Sequence, residues 1–210
     1  MPYDLEEQEQ IAALKGWWKD NGSLVLGVLT AALLAFAGWQ GWNAWQQRQS
    51  EQAGALFDSL RRASQAGDAK ALREAAGTLI ESYPRTSYAS LGALVTARFH
   101  FERGDLKSAK AQLQWLIEHA SSEELRDLGR LRLAAVLLDE KAYDEALKLL
   151  EAKHAAPFDA QYAVLRGDIL LAKNQTAEAK AAYRQALEKA GAANEAFRAG
   201  VQMRLDALGG

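Results

Sequence analysis

From Asn21 to Gln47 the chain carries no charged side chain, and Leu24–Trp39 contains one polar residue, Thr30. A helix rises ~1.5 Å per residue, so Gly22–Trp45 spans roughly 36 Å, enough to cross a hydrocarbon core of ~30 Å. Five of the six tryptophans bracket this run: Trp17 and Trp18 before it, Trp39, Trp42 and Trp45 after it. Trp18 and Trp39 lie about 31 Å apart along such a helix, which places their amphipathic rings at the two headgroup levels of a lipid bilayer. The large apolar residues between them favour insertion by about 2–5 kcal/mol, and no charge opposes them. The expectation is a transmembrane helix over 21–47 with an N-terminal tail over 1–20.

Two rival readings exist. A core helix of a soluble domain would show a polar face, and this segment has none. A cleaved signal peptide would use Ala35-Phe36-Ala37, a small-residue pattern. However, 20 residues with five acids and two lysines precede the apolar run, where a signal peptide has a short basic start. Apolar residues also continue past the site to Trp45. A retained anchor fits better. Gly27, Ala31 and Ala35 recur at a spacing of four and share one face, where a second helix can approach closely. Sidedness is left open by charge: Lys15 and Lys19 precede the segment, and Arg48, Arg61 and Arg62 follow it.

The remainder is different in kind. One quarter of the whole chain is charged, cysteine is absent, and the formal net charge is −2. Without cysteine there are no disulfides and no thiolate chemistry. Without a basic excess there is no basis for neutralising phosphates, so nucleic acid is not an expected partner. Alanine, leucine, lysine, glutamate and glutamine dominate, and no stretch alternates with period two. This predicts an all-α protein.

The helical part repeats. Gly67-Asp68, Gly104-Asp105, Lys141-Ala142 and Asn174-Gln175 read as equivalent turns, 37, 37 and 33 residues apart. Five residues past each later turn stand Ala109, Ala146 and Ala179; nine past stand Leu113, Leu150 and Tyr183. Small residues let paired helices approach, and larger ones fill the space beside them. Gly167 marks another close approach. Pro84 can end a second helix, Pro157 separates later hairpins, and Ser121-Ser122-Glu123-Glu124 reads as a capping box. The pattern resembles the tetratricopeptide repeat, although Leu72 stands where that motif prefers alanine. The expected architecture is a repeat domain over 48–210, an α-solenoid of about four helical hairpins. These cover about 48–84, 86–119, 121–154 and 158–190. A helix over 193–208, bearing Phe197, Val201, Met203, Leu205 and Leu208, would cap the stack.

Catalytic chemistry is not encoded in any recognisable pattern. His100, His119 and His154 form no metal-ligand motif, the glycines form no phosphate loop, and the acid pairs have bases nearby at helical spacing. No cofactor, metal or enzymatic activity is expected. Binding remains. In tetratricopeptide stacks the first helix of each hairpin lines a groove, and peptide clamps place lysine and asparagine there. Counting back from the turns, this chain offers Phe57, Leu94, Leu131 and Val164 at the lysine position. Arg61, Arg98, Ala135 and Asp168 stand at the asparagine position. Ser64, Phe101, Leu138 and Leu171 lie nearer the turn. The expected client groove is apolar with an occasional arginine, suited to a hydrophobic or helical segment rather than a charged tail.

The tail "DLEEQEQIAALKGWWKDNG" leads through Leu14-Lys15-Gly16-Trp17-Trp18 to Asn21-Gly22 and the anchor. Tail, anchor and repeats together resemble the ancillary SecYEG translocon subunit family. That resemblance implies a bacterial inner-membrane protein with its N-terminus in the cytoplasm and its repeat domain in the periplasm. It implies association with the SecYEG translocon and a membrane-tethered periplasmic chaperone, and a non-catalytic role in passing unfolded secretory proteins to folding factors. The alternative is a cytosol-facing membrane-bound scaffold that assembles soluble partners.

Overall fold

A computed structural model describes residues 3–191 and 194–209; the side chains of residues 3–6 and 8 lie outside that description, as does the expected start of the capping helix at 193. Among the described residues there are nine α-helices, one 3-10 turn and no strand. The helices are α1 (Tyr3–Ala66), α2 (Ala69–Ser82), α3 (Ser87–Glu102), α4 (Leu106–His119) and α5 (Glu123–Asp139). They continue with α6 (Tyr143–Leu150), α7 (Asp159–Ala172), α8 (Thr176–Lys189) and α9 (Glu195–Ala207). The chain forms two compact units, Met1–Gln49 and Ser50–Gly210, and α1 contributes to both.

In the first unit, α1 is long and apolar enough to cross a membrane. Its apolar side chains are uncovered: Leu33 and Leu34 are 68% and 69% exposed. Two of its polar groups, Thr30 inside the apolar run and Asn21 at its start, satisfy themselves locally. Thr30 Oγ1 donates to the Leu26 carbonyl at 2.8 Å and Asn21 Nδ2 to the Trp17 carbonyl at 3.1 Å. No water is needed for either group, a requirement of any span in lipid. The aromatic rings pair along the helix: Trp17 with Trp18, Phe36 with Trp39 at 6.0 Å, and Trp42 with Trp45 at 5.2 Å. Gly27, Gly38 and Gly41 face open space.

The second unit is built on four equivalent turns. Gly67, Gly104, Lys141 and Asn174 adopt φ of 76°, 77°, 64° and 63°, the left-handed conformation that ends a helix. The next residue in each case donates its N–H back five residues. Asp68 reaches Ala63 O, Asp105 reaches His100 O, Ala142 reaches Leu137 O and Gln175 reaches Leu170 O, at 2.8–3.0 Å. The same bond set recurs on two glycines, a lysine and an asparagine, so the turn is imposed by hairpin packing as well as by local preference. Asp68 and Asp105 then open α2 and α4 by accepting backbone N–H groups on their side chains. Within the expected box Ser121-Ser122-Glu123-Glu124, Ser122 caps α5: its Oγ accepts the Leu125 N–H at 3.4 Å and also bonds the Glu124 carboxylate. That bond, the largest contribution, holds Glu124 below the usual carboxylate range.

Within each hairpin the helices lock by size exchange. The residue seven before the left-handed position and the one nine after it enter the same core, and in every hairpin one is large and the other small. The pairs are Leu60 with Ala76, Ala97 with Leu113, Ala134 with Leu150 and Gly167 with Tyr183. All eight are buried. Leu72, where the repeat motif prefers alanine, is fully buried beside Ala63 and Phe99. The first hairpin therefore reverses the order of large and small while keeping the volume nearly constant, which is what a close-packed core demands. Close approach is tightest at Gly167, where an added Cβ would lie 2.5 Å from Tyr183 Cε1.

Two polar ties reinforce the C-terminal half. Asp127 is fully buried; its Oδ1 accepts from Arg130 Nη1 at 2.6 Å and its Oδ2 from the Ala155 N–H at 2.9 Å, which fastens the α6–α7 connection to α5. The Tyr162 hydroxyl donates to the Asp127 carbonyl at 3.2 Å, and burial is the main reason its phenol is pushed up to about 12. Asp168 accepts from the Tyr183 hydroxyl at 2.8 Å and from Arg204 Nε at 3.1 Å, joining α7, α8 and α9. Val201 and Leu205 of α9 close the apolar cluster around Tyr183.

Candidate interaction groove

Two open recesses lie along α1, α3 and α5, the first helices of the first three hairpins. Between α3 and α5 lies an open groove of about 490 Å³. Leu94, Ala97, Leu113 and Val136 supply an apolar floor; Phe101, Leu128 and Ala135 supply apolar walls; Arg98, Glu102 and Arg132 stand at the rim. A second, more polar recess is lined by Arg61, Ser64 and Gln65 of α1 together with Val95, Arg98 and Glu102 of α3. The two recesses share Val95, Arg98 and Glu102, so they form one trough over the first three hairpins. Helix axes pack about 8–10 Å apart, which gives the trough a length of roughly 20 Å.

The positions counted back from the turns differ in placement, although Leu94 of the groove also packs against the cluster that Leu131 and Leu138 join. Leu94, Arg98 and Phe101 meet in the groove, with Phe101 38% exposed. Leu131 and Leu138 do not line it; both pack against the cluster built on Leu133, Leu137 and Tyr162. Phe57 rests on Tyr88 with ring centroids 5.7 Å apart and belongs to the core of the first hairpin. Val164 packs into the cluster that Val201 and Leu205 close. Leu171 stays partly exposed but lines neither recess. Asp168, at the position of Arg61 and Arg98, is engaged by Arg204 and Tyr183, so α9 closes the C-terminal end of the series.

Arg132, Leu128 and Glu102 were not reached by counting. Arg132 stands nine residues before its left-handed turn, not ten, and the wall of the groove follows that row: Val95 stands nine before Gly104. The signal was present, since an arginine next to a leucine on an otherwise apolar helix is visible, but a one-residue error in register exchanges rim for core. Electrostatically the rim is asymmetric. Arg98 Nε donates to Glu102 Oε1 at 2.6 Å within one helix, and that hydrogen bond with the charge behind it raises the arginine pKa. Arg61 stands 3.9 Å from Asp58, the outer limit of an ion pair. Arg132 is exposed and has no ion-pair partner among the described residues.

The histidines are spread out. His100 stands 3.1 Å from Asp105, His119 stacks on Trp115, and His154 stacks on Tyr162 at 3.8 Å. Among the described residues no three metal-ligating side chains gather.

The sequence pattern of the tetratricopeptide repeat-like domain family matches residues 15–210. Three curated relatives align with most of this chain. The ancillary SecYEG translocon subunit of Haemophilus influenzae is 32% identical over 186 residues, 89% of this chain and 91% of its own. That of Aggregatibacter actinomycetemcomitans is 31% identical over 208 residues, 99% of this chain and all of its own. That of Escherichia coli is 29% identical over 178 residues, 84% and 85%. With the anchor-like helix, the four left-handed turns and the terminal helix α9 covered by these matches, the chain belongs to the ancillary SecYEG translocon subunit family.

Proposed function

We propose that this protein is a non-enzymatic, membrane-anchored adaptor of the Sec protein-translocation machinery. The observation that carries the proposal is the coupling, in one chain, of an uncovered apolar helix to a repeat stack with an open apolar groove, in a family whose members are named as translocon subunits. Residues 21–47 hold the chain in the inner membrane, with Trp17 and Trp18 at one interface and Trp39, Trp42 and Trp45 at the other. Gly27, Ala31 and Ala35 form the face that meets a helix of the SecYEG translocon. The N-terminal tail lies in the cytoplasm and the repeat domain in the periplasm. There the groove around Leu94, Arg98 and Phe101 engages a membrane-tethered chaperone or a secretory protein not yet folded. Anchoring beside the exit channel raises the effective concentration, so individually weak contacts suffice.

Photo-crosslinking probes at Ala31 and at Phe101, read in native membranes, test both faces. Expected products are a translocon adduct from position 31 and chaperone or nascent-chain adducts from position 101. A reporter at the C-terminus that functions only in the cytosol would overturn the topology and favour a cytosol-facing scaffold.

A further inference from the structure

The trough has an unbalanced rim. Three arginines, Arg61, Arg98 and Arg132, stand along it, one from each of the first three hairpins, against Glu102 within it and Asp58 beside Arg61. Glu102 is already spent on Arg98 within α3, and Asp58 reaches Arg61 only at 3.9 Å. Arg132 has no ion-pair partner among the described residues, and its guanidinium, always charged, offers five donors in a fixed fork. The acid that would have opposed this row in the fourth hairpin, Asp168, is neutralised by Arg204. The floor between the arginines is apolar, formed by Leu94, Leu113 and Val136, with Phe101 beside it.

We propose that this trough takes an acidic amphipathic helix from a partner protein, with large apolar side chains on the Leu94–Phe101 floor and carboxylates against Arg61, Arg98 and Arg132. The proposal rests on the groove being the adaptor's binding face and adds the chemistry of what it selects. A helix fits because the trough, roughly 20 Å long, accommodates about 13 residues at 1.5 Å each, or three to four turns of an i, i+3, i+4, i+7 apolar stripe. An acidic flank fits because carboxylates give Arg132 the bidentate partner it lacks and can add to the long Arg61–Asp58 contact, whereas lysines would meet like charge.

The test uses the full-length chain in phosphatidylcholine nanodiscs, with empty nanodiscs as the blank. Two fluorescein-labelled 16-residue peptides carry the same leucine stripe, one flanked by glutamates and the other by lysines, and binding is read by anisotropy. Two or three exposed ion pairs at a few-fold each compound to a preference of about ten-fold for the glutamate peptide. Arg132→Glu, at an exposed position, removes most of that preference, and 0.5 M salt narrows it. Phe101→Ser weakens the glutamate peptide by several-fold without altering the helical signal. Equal binding of both peptides that still depends on Phe101 keeps the groove and overturns the acidic partner. A preference untouched by Arg132→Glu also overturns it, since the carboxylates then bind elsewhere. Binding of neither peptide overturns the helix proposal and the groove reading together.

Discussion

Replacing Gly167 by alanine tests whether the hairpins are locked by size exchange. Gly167 sits inside α7, and a Cβ there would lie 2.5, 2.7 and 3.0 Å from Cε1, Cδ1 and Cζ of Tyr183. Carbon atoms in contact stay about 3.5–4.0 Å apart, so the overlap is about 1 Å. Tyr183 cannot swing aside cheaply. Its ring is fully buried and its hydroxyl donates to Asp168 at 2.8 Å. Overpacking of this kind costs about 1–3 kcal/mol, and a disturbed hydrogen bond to a charged group costs about 1.5–3 more. Against this, alanine gains about 1 kcal/mol of helix propensity over glycine. The net expectation is a loss of about 1.5–5 kcal/mol, or a Tm lower by roughly 3–20 °C in a domain of this size. Gly77 in α2 is the control, because nothing lies within 4 Å of its added Cβ. Gly77→Ala gains about 0.5–1 kcal/mol and raises Tm by a few degrees. Thermal unfolding of the detergent-solubilised chain, followed by circular dichroism at 222 nm, reads both. In a Tyr183→Leu background, Gly167→Ala should cost little, since the ring it strikes is gone. If Gly167→Ala stabilises as much as Gly77→Ala, or loses the same amount in both backgrounds, the size-exchange reasoning is wrong.

Lys141→Gly relieves a side chain held at φ 64° and should stabilise by about 0.5–1 kcal/mol in denaturant titration. Asn174→Gly at φ 63° gains less, because asparagine tolerates that conformation. Asp127→Ala strands the Arg130 guanidinium and the Ala155 N–H, and should cost about 2–4 kcal/mol; Asp127→Asn, which keeps one acceptor oxygen, should cost less. Tyr162 and Tyr183 both have folded-state pKa values above the ordinary phenol value, chiefly through burial, with Asp168 adding a hydrogen bond at Tyr183. The folded chain therefore holds phenol protons that the unfolded chain has released. Stability from this source is complete below pH 10 and falls as pH rises toward 12, by about 1.4 kcal/mol per pH unit for each tyrosine. Tm measured from pH 8 to 11 should drop steeply above pH 10, and Tyr162→Phe or Tyr183→Phe should flatten the drop; a profile unchanged by both substitutions would refute the assignment.

Much of this fold is legible in the sequence because turns and size patterns are local. The four turn positions can be aligned by eye, and each one proves to be a left-handed residue with the same back-bonding N–H. Ala109, Ala146 and Ala179 recur because two helices must nearly touch there, and all three are fully buried. The groove was harder to read. Position along a helix is fixed by its turn, but which flank of that helix faces the next hairpin depends on a rotation of a few tens of degrees. That rotation decides between Leu131, which is core, and Arg132, which is rim. Asp127 was illegible for another reason. With Arg130 three residues on, it reads as one more surface ion pair; only the return of the chain at Ala155, 28 residues later, makes it a buried anchor.

The reversed order in the first hairpin limits how such a protein can be rebuilt. Leu60 has its small counterpart in Ala76, and Gly167 its large one in Tyr183. A graft that set α8 beside the end of α1 would drive a tyrosine ring into a leucine, and the reciprocal graft would leave a void behind Ala76. Any shuffling of this solenoid, by a gene or by an engineer, must therefore move both halves of a hairpin at once.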